Sequence, residues 1–314
     1  MRLSQLSLMM AVFLSGVAVS PALIGQEKNG KRLAFTFEYL PFMKPMGYWR
    51  PREISNQILR TLEKNKIKAA GFVIQQKVED DPSTYVILDD WVSRHHTLGN
   101  QTWGNVDLNS IEAKHFIEHI ADGHKYLRNI TRAHPQNYRF LRYPNLHQGE
   151  KLKKKKRVKR AIERSRYQVA HVSVKTATNF FNRPFVNSLQ DPSNSLEALK
   201  NHYLKHVLDS LDYSESQSQI IFGDNIPHIL QLHAGVAIST MLEPLIGVLK
   251  DRGYTFISLQ EALNDPAYQA EENYVGPMGL TFVDRVAATR GIPFEAESGI
   301  DARKIEKELE DLFP

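Results

Sequence analysis

Leu98-Gly99-Asn100-Gln101-Thr102-Trp103-Gly104-Asn105-Val106-Asp107-Leu108-Asn109 is the stretch on which the reading of this chain turns. A short apolar segment near Leu98 leads into two carboxamides four residues apart, Gln101 and Asn105. A neutral imidazole binds zinc through a ring nitrogen, whereas a carboxamide offers only a neutral oxygen of much lower affinity. The stretch therefore delivers polar side chains to a strand end without delivering good metal ligands.

The same arrangement recurs along the chain. Strand-like runs, rich in aromatic and β-branched residues, occupy 32–37, 69–74, 138–141, 167–174, 228–232 and 254–258. Helical patterns lie between them. Ile117, Ile120, His124 and Leu127 repeat at 3-4-3 spacing, and Leu196, Leu199, Tyr203, Val207 and Leu211 at 3-4-4-4, each one apolar stripe. Ser110 suits the cap of the first of these helices, and Pro51 the first turn of an earlier one. Repeated β-then-α units imply an α/β protein whose parallel sheet is closed or nearly closed into a barrel. That barrel is expected over 31–264. Residues 265–314 are loop-rich through Tyr274-Val275-Gly276-Pro277 and end in a charged amphipathic helix over 302–313. They are expected as a loop-and-helix appendage packed on the barrel.

Composition places the chain among ordinary globular proteins, with 42% apolar and 24% charged residues. The net charge of +5 is a mild excess and largely local, since 151–160 contains Lys151, Lys153, Lys154, Lys155, Lys156, Arg157, Lys159 and Arg160. At the N-terminus Arg2 precedes an apolar stretch over 6–19, and Ser20-Pro21-Ala22 offers a small-x-small cleavage site. Residues 1–22 are therefore expected to be a secretory signal peptide, and the mature chain to be periplasmic or secreted. The absence of cysteine excludes a disulfide framework, a lipoprotein anchor and any thiolate site.

Reactive groups in βα barrels sit at the C-terminal ends of strands. Those positions here collect Glu38-Tyr39, Gln101 and Asn105, Arg142, Asn179 and His233. Taken with their neighbours, they resemble the five motifs of the polysaccharide deacetylase (NodB-homology) family in the right order, over roughly 31–233. Thr36-Phe37-Glu38-Tyr39-Leu40-Pro41 is similar to the family's Thr-Phe-Asp-Asp, and the opening stretch to its Leu-Gly-Asn-His-x-x-x-His. Phe140-Leu141-Arg142-Tyr143-Pro144-Asn145-Leu146, Asn179-Phe180 and Ile229-Leu230-Gln231-Leu232-His233 are similar to the remaining three.

The resemblance implies a distorted (β/α) barrel of the polysaccharide deacetylase type, with roles for these residues. Glu38 matches the general base, Arg142 the arginine that holds it, and His233 the general acid. Asn179 matches the aspartate that orients the acid and lacks its charge. The three metal-ligand positions hold Tyr39, Gln101 and Asn105, and a phenol with pKa near ~10 is neutral at working pH. Family-type deacetylation needs a metal to bring the pKa of water from about 15.7 towards 7. A general base returns only about 10²–10⁴-fold, which does not close that gap.

The first expectation is thus a degenerate enzyme with no metal cofactor. It would bind an acetylated polysaccharide, a peptidoglycan-type glycan or a partner, using Trp103, Tyr143, Asn179 and Phe180. An alternative is an active carbohydrate deacetylase, hydrolysing N- or O-acetyl groups, with zinc or another divalent metal held by Glu38, Gln101 and Asn105. Further from the deacetylase reading, the basic run offers a polyanion contact with no specific nucleic acid implied. His115-Phe116-Ile117-Glu118-His119 fits an inverted zinc-protease pattern but reads as a solvated helix face. His95-His96 reads as structural.

Overall fold

Parallel strands cannot be joined by tight turns, so each must be followed by a crossover, here usually helical. The computed structural model describes residues 30–137, 139–191, 196–295 and 302–313. The expected signal peptide over 1–22 lies outside them, as does Tyr138. In chain order the elements are β1 (Arg32–Leu40), α1 (Pro51–Lys64), β2 (Ala70–Val73), α2 (Gln75–Asp80), α3 (Tyr85–Ser93) and β3 (Thr97–Asn100). They continue with α4 (Ala113–Ile130), β4 (Phe140–Leu141), α5 (Leu152–Arg164), β5 (Gln168–Val169), α6 (Asn182–Gln190) and α7 (Leu196–Phe222). The chain then forms β6 (His228–His233), α8 (Val236–Asp251), β7 (Thr255–Phe256), α9 (Leu259–Leu263), α10 (Phe282–Arg290) and α11 (Ala302–Leu312).

The sheet is wholly parallel in the order β5-β4-β3-β2-β1-β6, with β7 paired to the start of β1. It curls so that Val174, beyond β5, bridges back to Leu230 of β6. The expected strand over 167–174 is therefore two pieces. Ala170 hydrogen-bonds Leu141 and ends the β4 pairing, and the chain then crosses the gap to β6. The result is a distorted (β/α) barrel.

Strand alternation sorts the barrel into two environments. Phe35 and Phe37 face outward into the main buried cluster, where Phe37 meets Trp91 edge-on at 5.6 Å. Ala34, Phe72, Phe140 and Ile229 face inward and fill the lower interior with Tyr268 and Phe282. The next inward positions up, Thr36, Glu38, Arg142, Gln231 and His233, are polar and buried. Glu38 and His233 are register partners on β1 and β6.

Two helix details differ from the sequence expectation. The buried stripe of α4 is Phe116, Ile120, Gly123, Leu127 and Ile130, with Ile117 and His124 at its margin. Its cap is Glu112, not Ser110, because the chain still turns at 107–110. Pro51 does open α1, and Leu199, Tyr203, Val207 and Leu211 are the buried side of α7.

Within 265–295, α10 inserts Phe282, Val283, Val286 and Ala287 into the same cluster as the inward strand residues. α11 lies on the outer layer, where Leu309 is buried with Ile305 and Phe313 against it. Thr281 caps α10: its Oγ1 accepts from the Asp284 N–H at 3.2 Å and donates to the Asp284 carboxylate at 2.6 Å. Thr281→Ala should lower stability by about 1 kcal/mol in urea unfolding. An unchanged midpoint would mean that α10 does not depend on its cap.

Candidate functional site

Glu38 is 2% exposed, so its charge must be met by protein. Arg142 Nη1 donates to Oε1 at 3.0 Å, and Gln231 Nε2 donates to the same oxygen at 2.8 Å. The other guanidinium groups are also engaged, Nη2 with Thr36 Oγ1 at 3.2 Å and Nε with the Ala170 carbonyl at 3.0 Å. The guanidinium lies 4.5 Å from the Phe72 ring centroid. Burial draws Arg142 below its ordinary value, and Glu38 opposes that pull.

Gln101 completes the cluster with both ends of its carboxamide. Nε2 donates to Glu38 Oε2 at 3.0 Å, while Oε1 accepts from the Tyr39 backbone N–H at 3.0 Å. An imidazole on this backbone could not make both bonds while also binding a metal. Gln101 thus joins the first and second motifs through two hydrogen bonds, with neither a metal nor a charge of its own. Tyr39 has φ 68°, in the left-handed region that non-glycine residues rarely adopt. Burial raises its phenol above the ordinary value, the Glu38 charge adds to this, and Asn105 opposes it. Asn105 leaves a buried Oδ1 with no partner.

As a donor set for a divalent cation these positions fit poorly. One is a protonated phenol, the second a carboxamide already bonded at both ends, and the third a single neutral oxygen. Among the described residues, no group of three or more His, Cys, Asp or Glu could hold a metal ion. That includes the histidine pair on α4, where His115 pairs with Glu118 at 3.0 Å and His119 lies against Trp103.

His233 is buried, with its ring 5.5 Å from that of Tyr39. Its Nδ1 pairs with Thr178 Oγ1 at 2.8 Å, and Thr178 pairs in turn with Thr176. The residue that orients the imidazole is therefore Thr178, one position before Asn179. Asn179 and Phe180 instead line a cavity of ≈ 470 Å³ with Lys44, Arg183 and Phe313. Tyr143 is also displaced from its expected role. Alternation after inward-facing Arg142 turns it outward, where it is buried and stacks on Phe116 at 5.6 Å.

Thus Glu38, Arg142, Gln101 and His233 converge on the upper interior. Gln231, Thr36 and Thr178 were not singled out from sequence, although the first two sit at i−2 of His233 and Glu38 and share their inward faces. Lys77 was also missed. Its ammonium lies 4.9 Å from the Tyr39 ring centroid and donates to the Phe42 carbonyl at 2.7 Å. Burial, with the charge of Lys44, brings it down to about 8. His96 is in the core and accepts from the Ala69 N–H at 3.2 Å.

Burial pushes His233 down to about 4, against the pull of Glu38. The folded chain keeps this ring neutral well below its ordinary value of 6.5, whereas the unfolded chain protonates it there. The stability contributed by the neutral ring is whole above about pH 6.5 and is lost as pH falls towards 4, by up to about 1.4 kcal/mol per pH unit. His233→Gln should flatten the acid limb of a urea-stability profile by that slope. An identical limb would show that His233 takes up its proton in the folded chain.

A model of the polysaccharide deacetylase family matches residues 25–170. No curated protein matches the chain. Among solved structures, the fold is similar to a CE4 family pseudoenzyme from Bacillus anthracis at 17% identity and TM-score 0.50, covering 76% of this chain and 67% of that one. A mutant of that protein with restored enzymatic activity is similar at 18% identity and TM-score 0.52, covering 76% and 69%. The chitin deacetylase of the fungal pathogen Colletotrichum lindemuthianum is similar at 17% identity and TM-score 0.52, covering 76% and 90%. These structures bear on the fold. The family match spans β1 to β5 and includes Glu38, Gln101, Asn105 and Arg142. Over residues 25–170, the chain is similar to the polysaccharide deacetylase family.

Proposed function

We propose that this is an exported, catalytically degenerate deacetylase-like protein that binds an acetylated cell-envelope glycan, or a partner, and does not hydrolyse it. The observation that carries this reading is the Gln101 carboxamide, bonded at one end to Glu38 and at the other to the Tyr39 backbone. It occupies a metal-ligand position of the family with a satisfied neutral group. Glu38, with three donors on its two oxygens, is held as a structural anion rather than a free base. Export is supported by the sequence over 1–22.

Binding without turnover is chemically consistent, because sugar recognition rests on shape, stacking and hydrogen bonds and not on an ion. The cavity beside Asn179 and Phe180 offers an aromatic face, a carboxamide and the cations Lys44 and Arg183. Trp103 is partly exposed at the second-motif loop. The chitin deacetylase among the fold neighbours supports an acetylated glycan as the ligand class. The test is calorimetric titration with chito-oligosaccharides and acetylated peptidoglycan fragments, alongside an acetate-release assay. Binding without acetate is expected. Acetate release that disappears in His233→Ala would establish the alternative, an active deacetylase with altered ligands.

A further inference from the structure

The basic run over 151–160 divides in two when α5 folds. Val158, Ala161 and Ile162 face the core, and Lys154 and Lys155 lie on that same side of the helix. Lys154 pairs with Glu150 at 3.0 Å and donates to the Leu108 carbonyl at 3.0 Å. Lys155 pairs with Glu272 at 2.8 Å and donates to the Tyr274 carbonyl at 2.8 Å. These two lysines tie α5 to its neighbours, which corrects the expectation that they meet a polyanion.

Lys153, Lys156, Arg157, Arg160 and Arg164 stand at i, i+3, i+4, i+7 and i+11, which is one stripe of a helix. All five are exposed, and none forms an ion pair among the described residues. At about 1.5 Å per residue they make a ridge about 16 Å long. Their five charges equal the net charge of +5, so the rest of the chain is neutral in sum. The ridge is also locally unfavourable. Like charges at i, i+4 repel, and the first turn of α5 has no acidic residue to complement the helix dipole. Local rules broken without a folding gain are the mark of a functional surface.

We infer that this ridge docks a linear acidic polysaccharide, at a surface separate from the barrel interior and independent of the reading given for it. A single row of cations matches a chain of repeated oxyanions. Lipid docking through an amphipathic helix needs an apolar face, and Leu152, at 53% exposure, is the one exposed apolar side chain of α5. Single-stranded nucleic acid is held by aromatic stacking, and α5 has no aromatic residue.

Fluorescence anisotropy of labelled polygalacturonate, titrated with the whole chain across a salt series, tests this. Binding should weaken steadily with salt. The quadruple variant Lys153→Gln, Arg157→Gln, Arg160→Gln, Arg164→Gln should bind at least about tenfold more weakly with a flatter salt dependence. A variant with the same net charge, Lys64→Gln, Lys68→Gln, Lys205→Gln, Lys250→Gln, should bind like the parent, with circular dichroism confirming that both fold. Equal losses in the two variants, or no binding at low salt, would overturn the proposal. So would tighter binding at matched ionic strength to phosphatidylserine-containing vesicles or duplex DNA.

Discussion

Arg142→Met should lower the stability of the folded chain by about 3–5 kcal/mol, because it leaves Glu38 as an uncompensated buried charge. The residue is 0% exposed and its guanidinium joins β1, β4 and the segment after β5 through Glu38, Thr36 and the Ala170 carbonyl. Losing it strands acceptors on β1 and on the segment after β5. Glu38→Gln removes the charge and keeps one acceptor oxygen, enough for Gln231 at the Oε1 position or Gln101 at the Oε2 position but not for both. The double variant Glu38→Gln, Arg142→Met should therefore be less destabilised than the two single losses added together, with a coupling of about 0.5–3 kcal/mol. Urea unfolding of the four proteins measures this directly. Strict additivity would mean that Glu38 and Arg142 do not stabilise one another.

The second large effect is a gain. The triple change Tyr39→Asp, Gln101→His, Asn105→His places a carboxylate and two imidazoles where the family has its ligands. Before metal is added the variant should be less stable than the parent by about 1–3 kcal/mol, because Gln101 no longer satisfies Glu38 and the Tyr39 backbone. Zinc should then bind stoichiometrically. At free zinc about 1,000-fold above Kd, linkage returns about 4 kcal/mol, visible as a rise in the unfolding midpoint. Asp also tolerates the left-handed backbone at position 39 better than Tyr does. Failure to bind would show that the backbone positions have moved apart as well as losing their donors.

The barrel was legible from the sequence because its strands are short apolar runs separated by amphipathic helices, a pattern set by burial on both faces of β1 and β2. Motif order assigns Glu38, Arg142 and His233 to one family of positions at the strand ends, and the fold supplies their proximity. What sequence could not supply was the direction of individual side chains. Tyr143 follows Arg142 directly, and the half-turn between strand neighbours sends one inward and the other into the layer beneath α4 and α5. Asn179 and Thr178 differ by one residue, and matching by residue shape chose Asn179 over the hydroxyl that actually meets His233. α10 was missed because Phe282, Val283, Val286 and Ala287 form only a short apolar cluster in a loop-rich section. Its stability depends on the barrel interior that it fills, a long-range contact with no local signature.

Pairings across the cluster were equally invisible. Gln231 reads as a single polar residue inside an apolar strand, which is ordinarily unfavourable. Its register beside Thr36, and its bond to Glu38, supply the reason. Lys77 belongs to a short helix with no motif of its own, and only the fold sets its ammonium over the Tyr39 ring.

The Gln101 carboxamide, bonded to Glu38 and to the Tyr39 backbone, stands at a position where the family holds a metal ligand. Equilibrium dialysis of the unaltered chain against micromolar free zinc, followed by metal analysis of the protein, tests it most directly. The account predicts no stoichiometric zinc and no change when Gln101 or Asn105 is replaced by Ala. One zinc per chain, lost in Gln101→Ala or Asn105→Ala, would contradict it.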